Sequence, residues 1–208
     1  MYDASARIDE FLKATAAKQP TPGGGSVTAL VAALATALAE MVVNYSVGKK
    51  GLEAFQGELK PALAELTRAR QMLVQLMAED QLAYEALSAV QKLPADAPQR
   101  KGKLSAALLA CIRVPEAVAA TGVAVLERCD RLVNFVNPHL LSDLAVCADL
   151  SMAAIRCAIY NVRVNLKAVE DPEDRRTIEG TVGQLLQRAV GLIQSVAPRV
   201  WERVAQQG

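Results

Sequence analysis

The stretch Pro20-Thr21-Pro22-Gly23-Gly24-Gly25-Ser26 runs directly into the segment from Val27 to Val43, where only Thr28, Thr36 and Glu40 are not apolar. Prolines and glycines mark a turn whose exit carries no side chains. The apolar run after it has helical length and no strand-like alternation, so it reads as a buried helix. The backbone N–H groups of a helix's first turn are unpaired and carry partial positive charge. Glycines allow a ligand to approach them, and such a loop suits an anion or a polar ring system. The same sequence also serves as a plain turn with a cap. It lacks the Lys-Ser/Thr of a nucleotide loop and follows no strand, which argues against that use. The run falls short of a membrane span and is rich in Ala, so a central bundle helix is expected and no membrane partner.

Composition supports an all-helical chain. Hydrophobic residues make up 52% of the 208 and aromatics only 4%, which implies small aliphatic packing between closely approaching helices. The length suits one domain, residues 1–208. The net charge is +1, so no basic field exists to hold nucleic acid. Cys111, Cys129, Cys147 and Cys157 form no CxxC pair, and His139 is the one histidine. That set does not read as a metal site, and burial is expected for all four thiols. The cysteines suggest a reducing, cytoplasmic setting, and residues 1–10 do not read as a signal peptide.

Working outward, the punctuation predicts six to seven helices, with long central members. The first spans about 5–17 and the second about 25–47, ending near Gly48-Lys49-Lys50-Gly51. A long third helix spans about 52–92, kinked or restarted at Pro61, with Leu59, Leu63, Leu66, Leu73 and Leu76 on one face. A fourth spans about 100–113, and Pro115 bends or breaks it before a fifth that ends near 133. Asn137-Pro138 and Asp171-Pro172 each read as N-cap plus first residue of the helices that follow.

The helix after Asn137 repays reading by angle. With Asp149 at zero, Arg156, Arg163, Lys167 and Glu170 form one polar stripe, whereas Asp143 and Asn161 fall at about 120° and Asn165 at about 160°. Those three polar groups point toward the apolar side and need partners there. Asp143 and Asn161 lie about 27 Å apart along the axis, too far to touch one small reacting centre. They serve opposite ends of a long groove, or one site takes parts from two subunits, or Asn161 only packs. On the third helix Asp80 and Tyr84 share a face one turn apart, next to Glu79, and spacing alone favours a solvated face there.

At these residues the chain resembles the cyclodeaminase/cyclohydrolase family of folate enzymes. The matching stretches are Pro22 to Ser26 with its helix, Gly48-Lys49-Lys50, Glu79-Asp80 with Ala83-Tyr84, Leu93-Pro94, Val114-Pro115, Asn137 with Ser142-Asp143, and Tyr160-Asn161-Val162 with Asn165-Leu166. They keep the family's order across most of the chain. Tyr84 stands where the family usually has Phe, and Val136 where it has Gly. The resemblance implies an all-α up-and-down helical bundle, a homodimer, a folate site near the glycine loop, and no cofactor beyond the tetrahydrofolate substrate. Its substrate would carry a one-carbon unit between N5 and N10.

In the hydrolytic direction water adds to a cationic methenyl carbon, and the protein must orient water and move protons. Asp143 is the first candidate for that carboxylate and Asp80 the second. Gly23, Gly24, Gly25, Ser26, Tyr84, Asn137, Ser142 and Asn161 are candidates for reading the ligand, and Lys49 or Lys50 for holding its glutamate tail. Without a transferase half, the methenyltetrahydrofolate cyclohydrolase reading is preferred. Formimidoyltetrahydrofolate cyclodeaminase is the alternative, and a non-catalytic helical binding protein the other class.

Overall fold

The computed structural model describes residues 1–206, and among these there is no strand. The helices are α1 (Ile8–Ala16), α2 (Gly24–Asn44), α3 (Gln56–Gln91), α4 (Arg100–Leu132), α5 (Leu141–Leu166) and α6 (Pro172–Ala205), with 3-10 turns at Glu53–Phe55 and Pro138–Leu140. α2 packs on α3 and α5, and α4 packs on the same two, which closes a four-helix ring; α6 lies along α4 and α5. Short connections make successive helices of the ring antiparallel. The start of α2, the end of α3, the start of α4 and the end of α5 therefore meet at one end of the bundle.

Small residues let α2 sit close to its neighbours. Ala29, Ala32, Ala33, Ala35 and Ala39 are buried, facing side chains such as Leu59, Leu66 and Leu73 of α3 and Ile155 of α5 in one apolar core. Each fully buried Leu contributes about 1.5–3 kcal/mol by its transfer from water. Register between α2 and α3 is set by a polar lock inside that contact. Arg70 Nε donates to Glu40 Oε1 at 2.5 Å, and Thr67 Oγ1 donates to Glu40 Oε2 at 3.1 Å. A shift of α3 by one residue would strand the Glu40 carboxylate against the core, so the pair specifies alignment more than it adds stability.

Asp171 caps α6 as expected, its Oδ1 accepting from Glu173 N at 2.7 Å, whereas Asn137 Oδ1 accepts from His139 N and so caps the 3-10 turn Pro138–Leu140, and α5 begins after it at Leu141 with no side-chain cap. The prolines behave differently from expectation. Pro61 lies inside a continuous α3, and Pro115 lies inside a single α4 that replaces the expected fourth and fifth helices. Pro115 has no N–H for the carbonyl of Cys111, four residues earlier. Asn165 of α5 fills that vacancy: its Nδ2 donates to Cys111 O at 3.3 Å. The expectation of four buried thiols also needs correction, since Cys129 and Cys147 are buried, Cys111 is half-buried and Cys157 is exposed.

α4 and α5 approach closely at Gly122, where an added Cβ would stand 2.8 Å from Ile155 Cγ1. Ile155 is fully buried and has nowhere to retreat. In Gly122→Val the overpacking should cost about 1–3 kcal/mol. Gly180 lies exposed in α6 with nothing within 4 Å of a Cβ, and Gly180→Ala should stabilise by about 0.5–1 kcal/mol. Urea denaturation midpoints of the two variants should move in opposite directions from wild type.

Candidate functional site

The first turn of α2 begins with glycines, which leaves its backbone bare on the inner side. α3 places Asp80 directly beneath it. An ideal Cβ on Gly25 would stand 1.9 Å from Asp80 Oδ1, so only glycine permits the carboxylate to sit there. Ser26 Oγ donates to Asp80 Oδ2 at 2.9 Å, and the Ser26 backbone N–H also favours the charged carboxylate. Burial outweighs these bonds and pushes the Asp80 carboxyl above the ordinary aspartate value of 3.8.

Each remaining helix of the ring brings a polar group to the same end. Asn161 of α5 holds its Oδ1 3.6 Å from where a Cβ on Gly24 would be. Asn165, one turn further on, donates to both Asn161 O and Cys111 O. Cys111 of α4 is close enough to feel Asp80: its thiol is pushed up first by burial and then by that negative charge. Gln81, fully buried next to Asp80, pairs with the Tyr2 backbone in both directions at 2.8 and 2.7 Å, and so ties the N-terminal segment over this end. Gly24 is exposed at the rim and Gly23 half-exposed. The arrangement is a carboxyl of raised pKa beneath a helix N-terminus, flanked by two amides and open at the glycines. Such a group is better suited to exchanging protons with a bound molecule than an exposed aspartate is.

The other expected residues lie elsewhere. Asp143, named first from the sequence, is half-buried at the start of α5, the opposite end from Asn161. Within one chain it does not reach the glycine turn, and Asp80 takes the interior position expected of it. Lys49 and Lys50 follow the far end of α2, about 33 Å from Gly23 by helical rise to Tyr45 alone. Their loop is tied down by Gly48 N donating to Gln56 Oε1 and by Asn137 N donating to Ser46 Oγ, both at 2.9 Å. Asn137 is thus buried in backbone bonding, while Ser142 is exposed beside Asp143. Tyr84 is 45% exposed on α3, one turn past Asp80. Cys111 and Gln81 were not among the sequence candidates. Pro115 marked the Cys111 carbonyl as needing a donor, and that was the available clue.

The sequence profile described as formiminotransferase-cyclodeaminase matches residues 7–184. Among curated proteins, the chain is 30% identical to methenyltetrahydrofolate cyclohydrolase of Methylorubrum extorquens, over 85% of this chain and 89% of that one. It is 31% identical to formimidoyltransferase-cyclodeaminase of Sus scrofa over 94% of this chain, and there it spans only 37% of the longer protein. The crystal structure of formiminotetrahydrofolate cyclodeaminase from Thermotoga maritima superimposes with a TM-score of 0.82 at 30% identity, covering 97% of each chain.

The raised Asp80 pKa has a stability consequence. Between 3.8 and the folded pKa, the native state holds a proton that the unfolded state has released, so stability falls as pH rises through that window. Asn at this position keeps an acceptor for Ser26 and carries no charge. The unfolding free energy of Asp80→Asn should therefore gain on wild type as pH rises from 3 through the folded pKa, then run parallel to it. Denaturant titrations across pH 3–8 check this, and a gap that is constant or closes with rising pH rejects it.

Proposed function

The chain belongs to the formiminotransferase-cyclodeaminase family, and from that membership we propose that it acts on a tetrahydrofolate carrying a one-carbon unit at N5 and N10, most specifically as a 5,10-methenyltetrahydrofolate cyclohydrolase. The observation that carries the reading is the Asp80 carboxyl, seated beneath Gly25 and held by Ser26. The methenyl carbon is a cation and needs no further activation. A carboxylate close to it stabilises the positive charge and takes the proton from the attacking water. The tetrahedral adduct then loses its bond to N5, the protonated carboxyl returns its proton to that nitrogen, and the adduct's hydroxyl proton leaves to solvent as the C=O forms, giving 10-formyltetrahydrofolate. One group performs both transfers only if its pKa lies above that of an exposed aspartate, the direction that burial gives Asp80. The chemistry asks for no cofactor beyond the folate itself. Asn161 and the Gly23–Ser26 backbone are the groups we assign to the pterin ring, whose edge alternates donors and acceptors.

A second reading rests on the Thermotoga neighbour, a cyclodeaminase whose chain and this one are each covered over 97%. There N10 attacks a formimino carbon and ammonia leaves. The same carboxyl, in its acid form, would protonate the departing nitrogen.

The purified protein should consume 5,10-methenyltetrahydrofolate, followed as loss of methenyl absorbance, faster than the buffer reaction. Asp80→Asn should lower that rate about a hundredfold or more. Asp143→Asn in the same assay separates the two carboxylates. A rate unchanged in Asp80→Asn removes Asp80 from the mechanism. Ammonia release from the formimino substrate, with the methenyl substrate untouched, would assign the cyclodeaminase direction.

A further inference from the structure

Two of the four ring helices outlast the other two. α2 begins at Gly24, level with Asp80, because the α-carbon of Gly25 rests against that carboxylate. α5 ends at Leu166, level with Cys111, because Asn165 donates to Cys111 O. Asp80 and Cys111 share one level, since the carboxylate's charge is felt at the thiol. Past it α3 continues for eleven residues to Gln91, and α4 begins eleven residues before it at Arg100. The pair forms a hairpin arm reaching about 16 Å beyond the glycine turn. The faces that meet α2 and α5 lower down run on along this arm. With Asp80 at zero, Tyr84, Leu87 and Gln91 fall within about 40° of it on α3. With Cys111 at zero, Leu104 and Arg100 fall within about 20° of it on α4. Tyr84 and Gln91 are exposed, and Leu87 and Leu104 are half-buried. The N-terminal segment is held at Gln81, about 100° round α3 from Asp80. The result is an open shelf that starts at the Asp80 carboxyl and ends at Arg100.

The outer end of the shelf is basic. Between Gln91 and Lys103 the chain carries Lys92, Arg100, Lys101 and Lys103 against the single acid Asp96, in a protein whose net charge is only +1. Arg100 stands out within that group. Among the described residues, its Nε is the one buried side-chain nitrogen or oxygen without a hydrogen-bond partner. A guanidinium N–H held out of water with nothing to donate to is costly, and such an atom calls for an acceptor.

We propose that this shelf carries the tail of the folate: the aminobenzoyl ring lies on Tyr84, Leu87 and Leu104, and the Arg100 guanidinium takes a glutamate carboxylate. The assignment rests on the folate reading, which names the ligand. Length supports it. From the one-carbon unit to the glutamate carboxylates an extended folate measures about 10–12 Å at ordinary bond lengths, and an arginine reaches about 6 Å from its α-carbon. Together these match the arm. Chemistry agrees with length. A flat aromatic ring suits a shelf of tyrosine and leucine. A carboxylate supplies the acceptor that Arg100 Nε lacks, with Nε and one Nη forming two parallel bonds to it. Lys101 is exposed and lies about 100° round α4 from Arg100, so it adds positive potential without facing the shelf.

Calorimetry with two ligands tests the shelf. One is 5-formyltetrahydrofolate; the other is 5-formyltetrahydropteroate, which stops at the benzoate and has no glutamate. The wild type should bind the folate about ten- to hundredfold more tightly than the pteroate. Arg100→Ala, with unchanged circular dichroism, should bring that ratio close to one by weakening the folate alone. Arg100→Lys should keep part of the ratio, because the charge remains and the planar fork is lost. Lys101→Ala removes the same charge from an exposed neighbour and should keep the wild-type ratio. Equal affinity of the wild type for the two ligands overturns the assignment. So does an Arg100→Ala loss that is the same for both, or a Lys101→Ala ratio that falls as far as that of Arg100→Ala. A wild type that binds neither ligand defeats the folate reading, and the ligand of the shelf with it; binding without discrimination overturns the shelf alone.

Discussion

The molecule is organised around a missing side chain. Gly25 leaves a space that the Asp80 carboxylate occupies, and nothing larger than hydrogen fits at that α-carbon. The contact joins α2 to α3 at the end where all four ring helices bring polar groups. Several features follow from it. Ser26 must come next in sequence, because its hydroxyl and N–H are the donors that make a half-buried carboxylate tolerable. The preceding residues must turn sharply, because the helix cannot begin any earlier without side chains. The rest of α2 must hold that first turn in place, and its alanines do so by letting the neighbouring helices close around it.

Desolvation and hydrogen bonding oppose each other at Asp80, and desolvation wins. That outcome destabilises the native state at neutral pH to a small degree and makes the carboxyl useful for proton transfer. The adjoining structure limits the damage. Gln81 closes the end with a paired amide–backbone contact, and Asn165 satisfies the carbonyl that Pro115 leaves without a partner. Asn165 is therefore best understood as a support for α4, and through α4 for the position of Cys111 beside Asp80. The proline and the asparagine are one device shared by two helices.

Much of this was legible in the sequence. The glycine turn, the apolar helix after it, the cap at Asp171, and the buried face of Leu59, Leu66, Leu73 and Leu76 all rest on short-range rules, and all appear in the structure. Pro115 was misread because its partner is 50 residues away in the chain, beyond the reach of any local rule. Asp143 was favoured over Asp80 for a different reason. Helical angle correctly placed Asp143 on the same face as Asn161, but angle carries no information about which end of a neighbouring helix a residue meets. Direction carries that information. In an up-and-down bundle the start of α2 meets the end of α5, which selects Asn161 and leaves Asp143 at the far end.

The same reasoning explains why the residues that resemble the family's motifs fall into two groups. Gly23 to Ser26, Asp80, Tyr84 and Asn161 gather near the start of α2, and Lys49, Lys50, Asn137, Ser142 and Asp143 gather beyond its end. Helical rise keeps them about 30 Å apart within one chain, and no rearrangement of side chains closes that distance. An intact four-helix core also forbids bending α2 to do so, since Ala29 through Val43 are packed along its inner side.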